Sequence, residues 1–178
     1  MPPAAASSSG MPDELERLYD AHAQALFAFV LNVTRHEADT RDVLQDVFVK
    51  LASRPALLDG IRDERGFLLR MAHHAALDGL RRRATRARRH EAFSAEMDSI
   101  FAPSDSADEQ AFREAVSAIM AELPPEQRAV VHLKLWEGLT FEDIADALGI
   151  SPNTAASRYR YALDKLRAPL RPLYDERS

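Results

Sequence analysis

Residues 140–166 read TFEDIADALGISPNTAASRYRYALDKL, and their pattern decides the fold. Thr140 stands where a helix N-cap belongs, and Asp143, three residues on, stands where its capping-box partner belongs. Leu148-Gly149-Ile150 makes a tight turn, Ser151 is a second N-cap, and Pro152 takes the first position of the next helix. Two helices joined by a short turn containing Gly form a helix-turn-helix. Ala145 is small where the helices cross, Gly149 permits the turn, and Ile144, Leu148 and Ile150 fill the core beneath. The second helix, running to Leu166 or Ala168, divides into two faces. Ala155, Tyr159, Ala162 and Leu166 suit packing. Asn153, Ala156, Ser157, Arg160 and Tyr161 point the other way, flanked by Arg158 and Lys165. Short polar groups, an Arg and an aromatic are the equipment that reads base edges and phosphates in a major groove. The first helix is acidic outside, at Glu142, Asp143 and Asp146, as fits a support helix. A plain helical hairpin with a solvated basic face would show the same pattern.

Helical spacing continues outward from this motif. Leu15, Leu18, His22, Leu26, Phe29 and Val33 predict one long amphipathic helix after Asp13. A second helix is expected over about 36–52, with Leu44, Val47, Phe48 and Leu51 as its buried stripe and Asp39, Asp42 and Asp46 on another face. Pro55 and Gly60 punctuate a loop. A third helix covers about 63–83, with Phe67, Leu68, Met71, Ala75 and Leu80 available for packing. Periodicity fails over 91–110, long for a loop within one domain, so a boundary is expected there. Phe112, Val116, Ile119 and Leu123 make a short helix stopped by Pro124-Pro125, and another spans about 126–137 before Gly138. The expected architecture is all-α: two small helical domains joined by an acidic linker, the C-terminal one with a helix-turn-helix. Its bounds are a tail at 1–11, a first domain at 12–90, the linker at 91–110, a second domain at 111–172 and a tail at 173–178.

Composition narrows the function classes. Apolar residues at 46% allow a folded core, and aromatics at 7% favour helices over a β-sandwich. The absence of cysteine excludes disulfides, thiolate zinc sites and Cys nucleophiles, and agrees with a reducing cytoplasm. Charges interrupt every long apolar run, and MPPAAASSSG lacks the basic and apolar regions of a secretory signal. The net charge of −5 is unusual for a nucleic-acid binder, but it hides a strong segregation. Residues 79–90 hold six Arg and no acid, residues 91–112 hold six acids and no base, and residues 152–172 hold five bases against Asp164. Blocks of this kind suit separate surfaces for separate partners. The Arg run suits phosphate contact, against the plainer reading of a soluble helix end. His73-His74 are not read as metal ligands, because adjacent helical residues diverge by about 100°. No GxSxG, phosphate-binding Gly loop or ligand cluster is present, so neither catalysis nor a cofactor is expected.

Two stretches carry a family resemblance. ELPPEQRAVVHLKLWEGLTFEDIADALGISPNTAASRYRYALDKLR resembles the promoter −35-binding domain of extracytoplasmic-function sigma factors, of the sigma-70 superfamily. Glu137-Gly138-Leu139, Ile144-Ala145 and Leu148-Gly149-Ile150-Ser151 carry the match. Independently, DVLQDVFVKL resembles that family's polymerase-clamp-binding helix, and RGFLLRMAHHAALDGLRRR its −10-reading segment. The resemblance runs over about residues 14–170. There are departures: Phe67 stands where Trp is usual, His73-His74 where Arg-Asn is usual, Ala155 where a larger aliphatic is usual, and Ala156 where a basic residue is frequent.

The resemblance implies a polymerase subunit that directs initiation. Asp39, Asp42, Gln45, Asp46 and Lys50 would contact the clamp of core RNA polymerase; an ordinary solvated helix face is the alternative. His73, His74, Asp78, Arg81 and Arg82 would lie along the −10 element, where single-stranded DNA needs cationic tracking. Asn153, Ser157, Arg158, Arg160 and Tyr161 would read −35 duplex. The acidic linker would run toward the RNA exit path as a nucleic-acid mimic, or serve as a passive tether. Implied partners are core RNA polymerase, promoter DNA and, as in many such factors, an anti-sigma factor; the free chain is expected to be monomeric and cytoplasmic. The rival reading is a helix-turn-helix regulator that is no polymerase subunit, and it leaves DVLQDVF and the Arg run unexplained.

Overall fold

A computed structural model describes residues 11–89 and 116–175. The acidic linker, both short tails apart from their helical edges, and the side chains of Arg88 and Arg89 lie outside the described residues. The elements are α1 (Met11–Thr34), α2 (Glu37–Ser53), a 3₁₀ turn (Pro55–Leu58) and α3 (Glu64–Arg89). The second half has a short helix over 116–122, here α4, then α5 (Pro125–Leu135), α6 (Phe141–Leu148) and α7 (Pro152–Asp175). No strand occurs among the described residues.

Local chemistry accounts for the breaks. Arg35, at φ 59, is the only non-glycine with positive φ among the described residues, and it turns the chain between α1 and α2. His36 then caps α2, its Nδ1 accepting from the Asp39 N–H at 3.2 Å. Pro125 opens α5 in the first turn, where its missing N–H is harmless. Thr140 and Asp143 form the reciprocal capping box at the start of α6. Gly149 closes α6 at φ 67, the left-handed region that favours glycine.

α1 is the central helix, packing on α2, α3 and α5. Leu18, Leu26, Phe29, Val30 and Val33 of α1 meet Val43, Val47 and Leu51 of α2 and Leu68, Leu69, Ala72 and Ala76 of α3. The same core continues without a break into Ala129, Val130, Leu133, Ile144, Ala147, Leu148 and Ala155 of the second half. A smaller cluster of Ile119, Met120, Leu123, Val131, Ala162 and Leu166 ties α4, α5 and α7 together. The two helical units are therefore closed on one another.

Three expectations shift. The buried stripe of α2 is Thr40, Val43, Val47 and Leu51, with Leu44 and Phe48 only partly covered. Thr40 earns its place by hydrogen bonds that periodicity does not register: its hydroxyl meets Thr34 Oγ1 at 2.8 Å and donates to His36 O at 2.9 Å. α3 runs on to Arg89 rather than stopping near Arg83, so the Arg run continues a helix. α7 likewise extends to Asp175, past Leu166 and Ala168.

Candidate nucleic-acid interface

The helix-turn-helix is built by α6 and α7. Ile144, Ala145, Leu148, Ala155 and Ala162 are buried, and Tyr159 packs edge-on to Phe141 with ring centroids 5.7 Å apart. Ser151 caps α7, its Oγ accepting from the Thr154 N–H at 3.1 Å. With that inner face anchored, Asn153, Arg160 and Tyr161 are exposed, and Ser157 and Arg158 are half-exposed beside them. Ser157 Oγ donates to Asn153 O at 2.7 Å, which spends its proton inside the helix. The Arg160 guanidinium lies 5.5 Å from the Tyr161 ring centroid, so a cation and an aromatic travel together on the outward face. All five residues expected to read duplex DNA are thus on one helix face or its flanks. On α6, Glu142, Asp143 and Asp146 are exposed. The Thr140 hydrogen bonds hold the Asp143 carboxyl below its ordinary range, so the support helix keeps its negative charge.

The first unit presents a cleft between α2 and α3 of about 560 Å³. Asp39, Asp42 and Asp46 form one wall, Arg82, Arg83 and Arg86 the other, and Val43, Ala76 and Leu80 the floor. Arg83 Nη1 reaches across to Asp39 Oδ2 at 2.5 Å. A smaller groove of about 290 Å³ lies alongside, lined by Lys50, Phe67, Arg70, His74, Asp78 and Arg82 among others. The acids expected to meet polymerase and the groups expected to meet the −10 element are therefore neighbours across one helix pair. Gln45 is exposed on α2. Asp78 and Arg81 are exposed and pair at 3.2 Å.

His73 stands apart from its group. It is 3% exposed, beside the rings of Phe29 and His74, and neither ring nitrogen has a hydrogen-bond partner. Burial, with the positive field of His74 and Arg158, lowers its pKa to about 4, so it is neutral at pH 7. Arg158 belongs to α7, which shows how close the second unit comes to this flank of α3. Arg70, one turn earlier on α3, donates to the Asp146 carbonyl of α6.

Beside the shared apolar core, the seam between the units carries buried polar contacts that sequence reasoning missed. Asn32 Nδ2 lies 2.5 Å from His132 Nδ1, both side chains buried. With Nδ1 accepting, the ring proton sits on Nε2, which faces Glu137 Oε1 at 3.7 Å. Glu137 in turn pairs with Arg65 of α3. Arg35 donates to Ser117 O at 3.1 Å and Oγ at 2.7 Å. Arg128 donates to Leu123 O at 2.5 Å and across the seam to Val33 O at 2.6 Å. Leu123 and Val33 carry orphan carbonyls at or just past the C-terminal ends of α4 and α1, so one guanidinium caps two helices. Burial lowers the pKa of Arg128 to about 10, which leaves it charged at neutral pH. The one legible signal was Asn32, a polar residue amid the apolar run of α1. Among the described residues, no group of His, Asp and Glu is placed to hold a metal ion. No helix among them is long and apolar enough to cross a membrane.

Comparison with known proteins agrees with this geometry. The family described as Sigma-70 region 2 matches residues 18–86, and Sigma-70, region 4 matches residues 113–166. The chain belongs to the sigma-70 family of RNA polymerase sigma factors, proteins of promoter-specific transcription initiation. Within that family it falls among the extracytoplasmic-function (ECF) factors. It is 31% identical over 160 residues to the RNA polymerase sigma-E factor of Streptomyces avermitilis, covering 88% of this chain and 85% of that one. It is 30% identical over 161 residues to the RNA polymerase sigma factor CarQ of Myxococcus xanthus, covering 89% and 90%. The ECF RNA polymerase sigma factor SigL of Mycobacterium tuberculosis is 29% identical over 164 residues, covering 89% and 90%. Among solved structures, the fold is similar to the sigma factor RpoE in complex with the anti-sigma factor NepR from Bartonella quintana. That match has a TM-score of 0.73 and 20% identity, covering 89% of this chain and 97% of that one. CnrH in complex with the cytosolic domain of CnrY matches with a TM-score of 0.62 and 23% identity, covering 96% and 93%.

Proposed function

We propose that the first unit docks on core RNA polymerase and attends the −10 element, while α7 reads the −35 duplex. The observation that carries this is the anchoring of α7: its inner face is locked into the core, so Asn153, Arg160 and Tyr161 are held outward as a rigid reading edge. Asp39, Asp42, Gln45, Asp46 and Lys50 supply the polymerase contact, whose charges set register and encounter rate more than raw affinity. His74, Asp78, Arg81 and Arg82 line the −10 path, with His73 joining them only where its flank of α3 is uncovered. Polymerase links the two weak DNA grips, so effective concentration supplies the overall affinity. The acidic total charge keeps the free chain off bulk DNA. Residues 91–110 act as an acidic tether between the units.

Both structural neighbours were solved with a protein partner, and NepR, the partner of RpoE, is an anti-sigma factor. An antagonist of that kind is the regulatory partner to seek here. The regulator reading, without a polymerase, has no use for the charged α2–α3 cleft. The test is run-off transcription with core bacterial polymerase and a promoter library. Transcripts from a defined subset, lost with Arg160→Ala, support the proposal. Failure of the chain to bind core polymerase overturns it.

A further inference from the structure

α3 leaves the core before it reaches its last arginines. Ala76 is its last fully buried residue, and Leu80 is its last apolar contact with the core. Beyond Leu80, Arg81, Arg82, Ala84, Thr85 and Arg86 are exposed, and Arg83 is half-buried. A helix end of this kind has no hydrophobic hold on its direction. Arginines three and four residues apart on it also repel one another. Within residues 81–86, one side chain makes a hydrogen bond or ion pair with another helix: Arg83, whose Nη1 meets Asp39 Oδ2 across the cleft at 2.5 Å. Arg81 and Thr85 bond within α3 itself. The far end of the Arg83 contact is rigid. Asp39 stands in the first turn of α2, its own N–H held by the His36 cap, and Thr40 beside it is fully buried.

We propose that Asp39 and Arg83 form a strut that positions the basic end of α3, leaving Arg82 and Arg86 as the groups that meet phosphate; this rests on the reading of α3 as a nucleic-acid-facing helix. Arg83 is thus a positioning residue and not a phosphate contact, although it stands inside the Arg run. Arg82, Arg83 and Arg86 share one wall of the cleft, so fixing the middle one fixes the direction of the other two. Residues 81–89 extend about 14 Å beyond Leu80 at 1.5 Å per residue. A small bend there carries Arg86 out of register with a row of phosphates, and the strut opposes that bend. Arg82 and Arg86 meet no carboxylate among the described residues, so their donors are free for a ligand. The acids of α2 divide in the same way. Asp42 and Asp46 meet no cation among the described residues and stay open to a protein partner. Asp39 holds Arg83 beside its polymerase contact, because a carboxylate offers about four lone-pair sites and the strut uses one.

Two double variants with the parent's net charge separate a strut from a phosphate contact. Asp39→Ala with Arg83→Ala removes the pair, and Asp39→Arg with Arg83→Asp reverses it. Anisotropy measures binding of a labelled single-stranded oligonucleotide to the free full-length chain at low ionic strength, where phosphate attraction is strongest. Removing the pair is expected to weaken binding about two- to fivefold, the scale of a partly exposed ion pair, and reversing it to leave binding within about twofold of the parent. Amide hydrogen exchange over residues 84–89 is expected to quicken by a similar factor when the pair is removed and to slow again when it is reversed, with residues 64–76 unchanged. A reversed pair that binds no better than the removed pair makes Arg83 a direct phosphate contact and overturns the strut. Exchange over 84–89 that ignores both variants overturns it too. Arg82→Ala with Arg86→Ala tests the underlying reading separately. Oligonucleotide binding that ignores this change overturns α3 as a nucleic-acid-facing helix, while the exchange result still decides the strut.

Discussion

Acidification from pH 7.5 to pH 5 should loosen this fold far more than its surface ion pairs predict. His73 and His132 are each 3% exposed, and burial lowers the pKa of each to about 4 from the ordinary 6.5. His73 is faced by His74, Arg81, Arg158 and Glu126, and His132 by Glu137 and Arg65. Between pH 6.5 and pH 4 the unfolded chain binds these protons and the native chain does not, so stability is full above 6.5 and is lost as pH falls through that window. At pH 5 the loss is about 2 kcal/mol per histidine, or about 4 kcal/mol for both. A typical domain has only about 5–15 kcal/mol in all. The Asp143 and Glu64 carboxyls, both held low by hydrogen bonds, keep their contributions until the pH nears their unfolded values, so the upper window belongs to the histidines. Urea unfolding at pH 7.5 and pH 5, with equal slopes, measures the difference. His132→Gln, which can still meet Asn32, is expected to halve it. A pH-independent unfolding free energy, or an unchanged loss in His132→Gln, would refute the reasoning.

Further outcomes follow from the caps and the reading face. Thr140→Ala removes the side-chain acceptor of the α6 capping box and should destabilise the chain by about 1 kcal/mol, read as a lower urea midpoint. Gly149→Ala meets no atom within 4 Å, so its expected loss of about 1 kcal/mol is the left-handed backbone alone; a loss beyond 3 kcal/mol would mean that the turn is packed more tightly than it is. Arg128→Met strands the carbonyls of Val33 and Leu123 and should cost about 3 kcal/mol by the same assay. Arg160→Ala, at an exposed position, should leave the midpoint unchanged while weakening −35 duplex binding, measured by anisotropy with polymerase present.

The sequence alone determined the helix-turn-helix. Its signals are local: Thr140 and Asp143 lie within one turn, and Gly149 and Pro152 act through their own backbone angles. Neither needs a distant partner, so no tertiary contact overrides them. The long amphipathic α1 and the outward set of α7 were legible for a similar reason, since a face of a helix repeats in the residue string. Thr40 escaped that logic because a buried hydroxyl is chosen by its partners, Thr34 and His36, and not by hydropathy. Only the tertiary structure decided the seam. Asn32 and His132 are a hundred residues apart, Arg128 and Val33 nearly so, and a polar residue carries no mark of whether it faces water or a distant carbonyl. The same holds for His73: periodicity puts it on α3, but whether that flank meets DNA or the second unit depends on how two helical bodies close. That closure is set by shape and by buried hydrogen bonds between segments far apart in the chain, which leave no period to read.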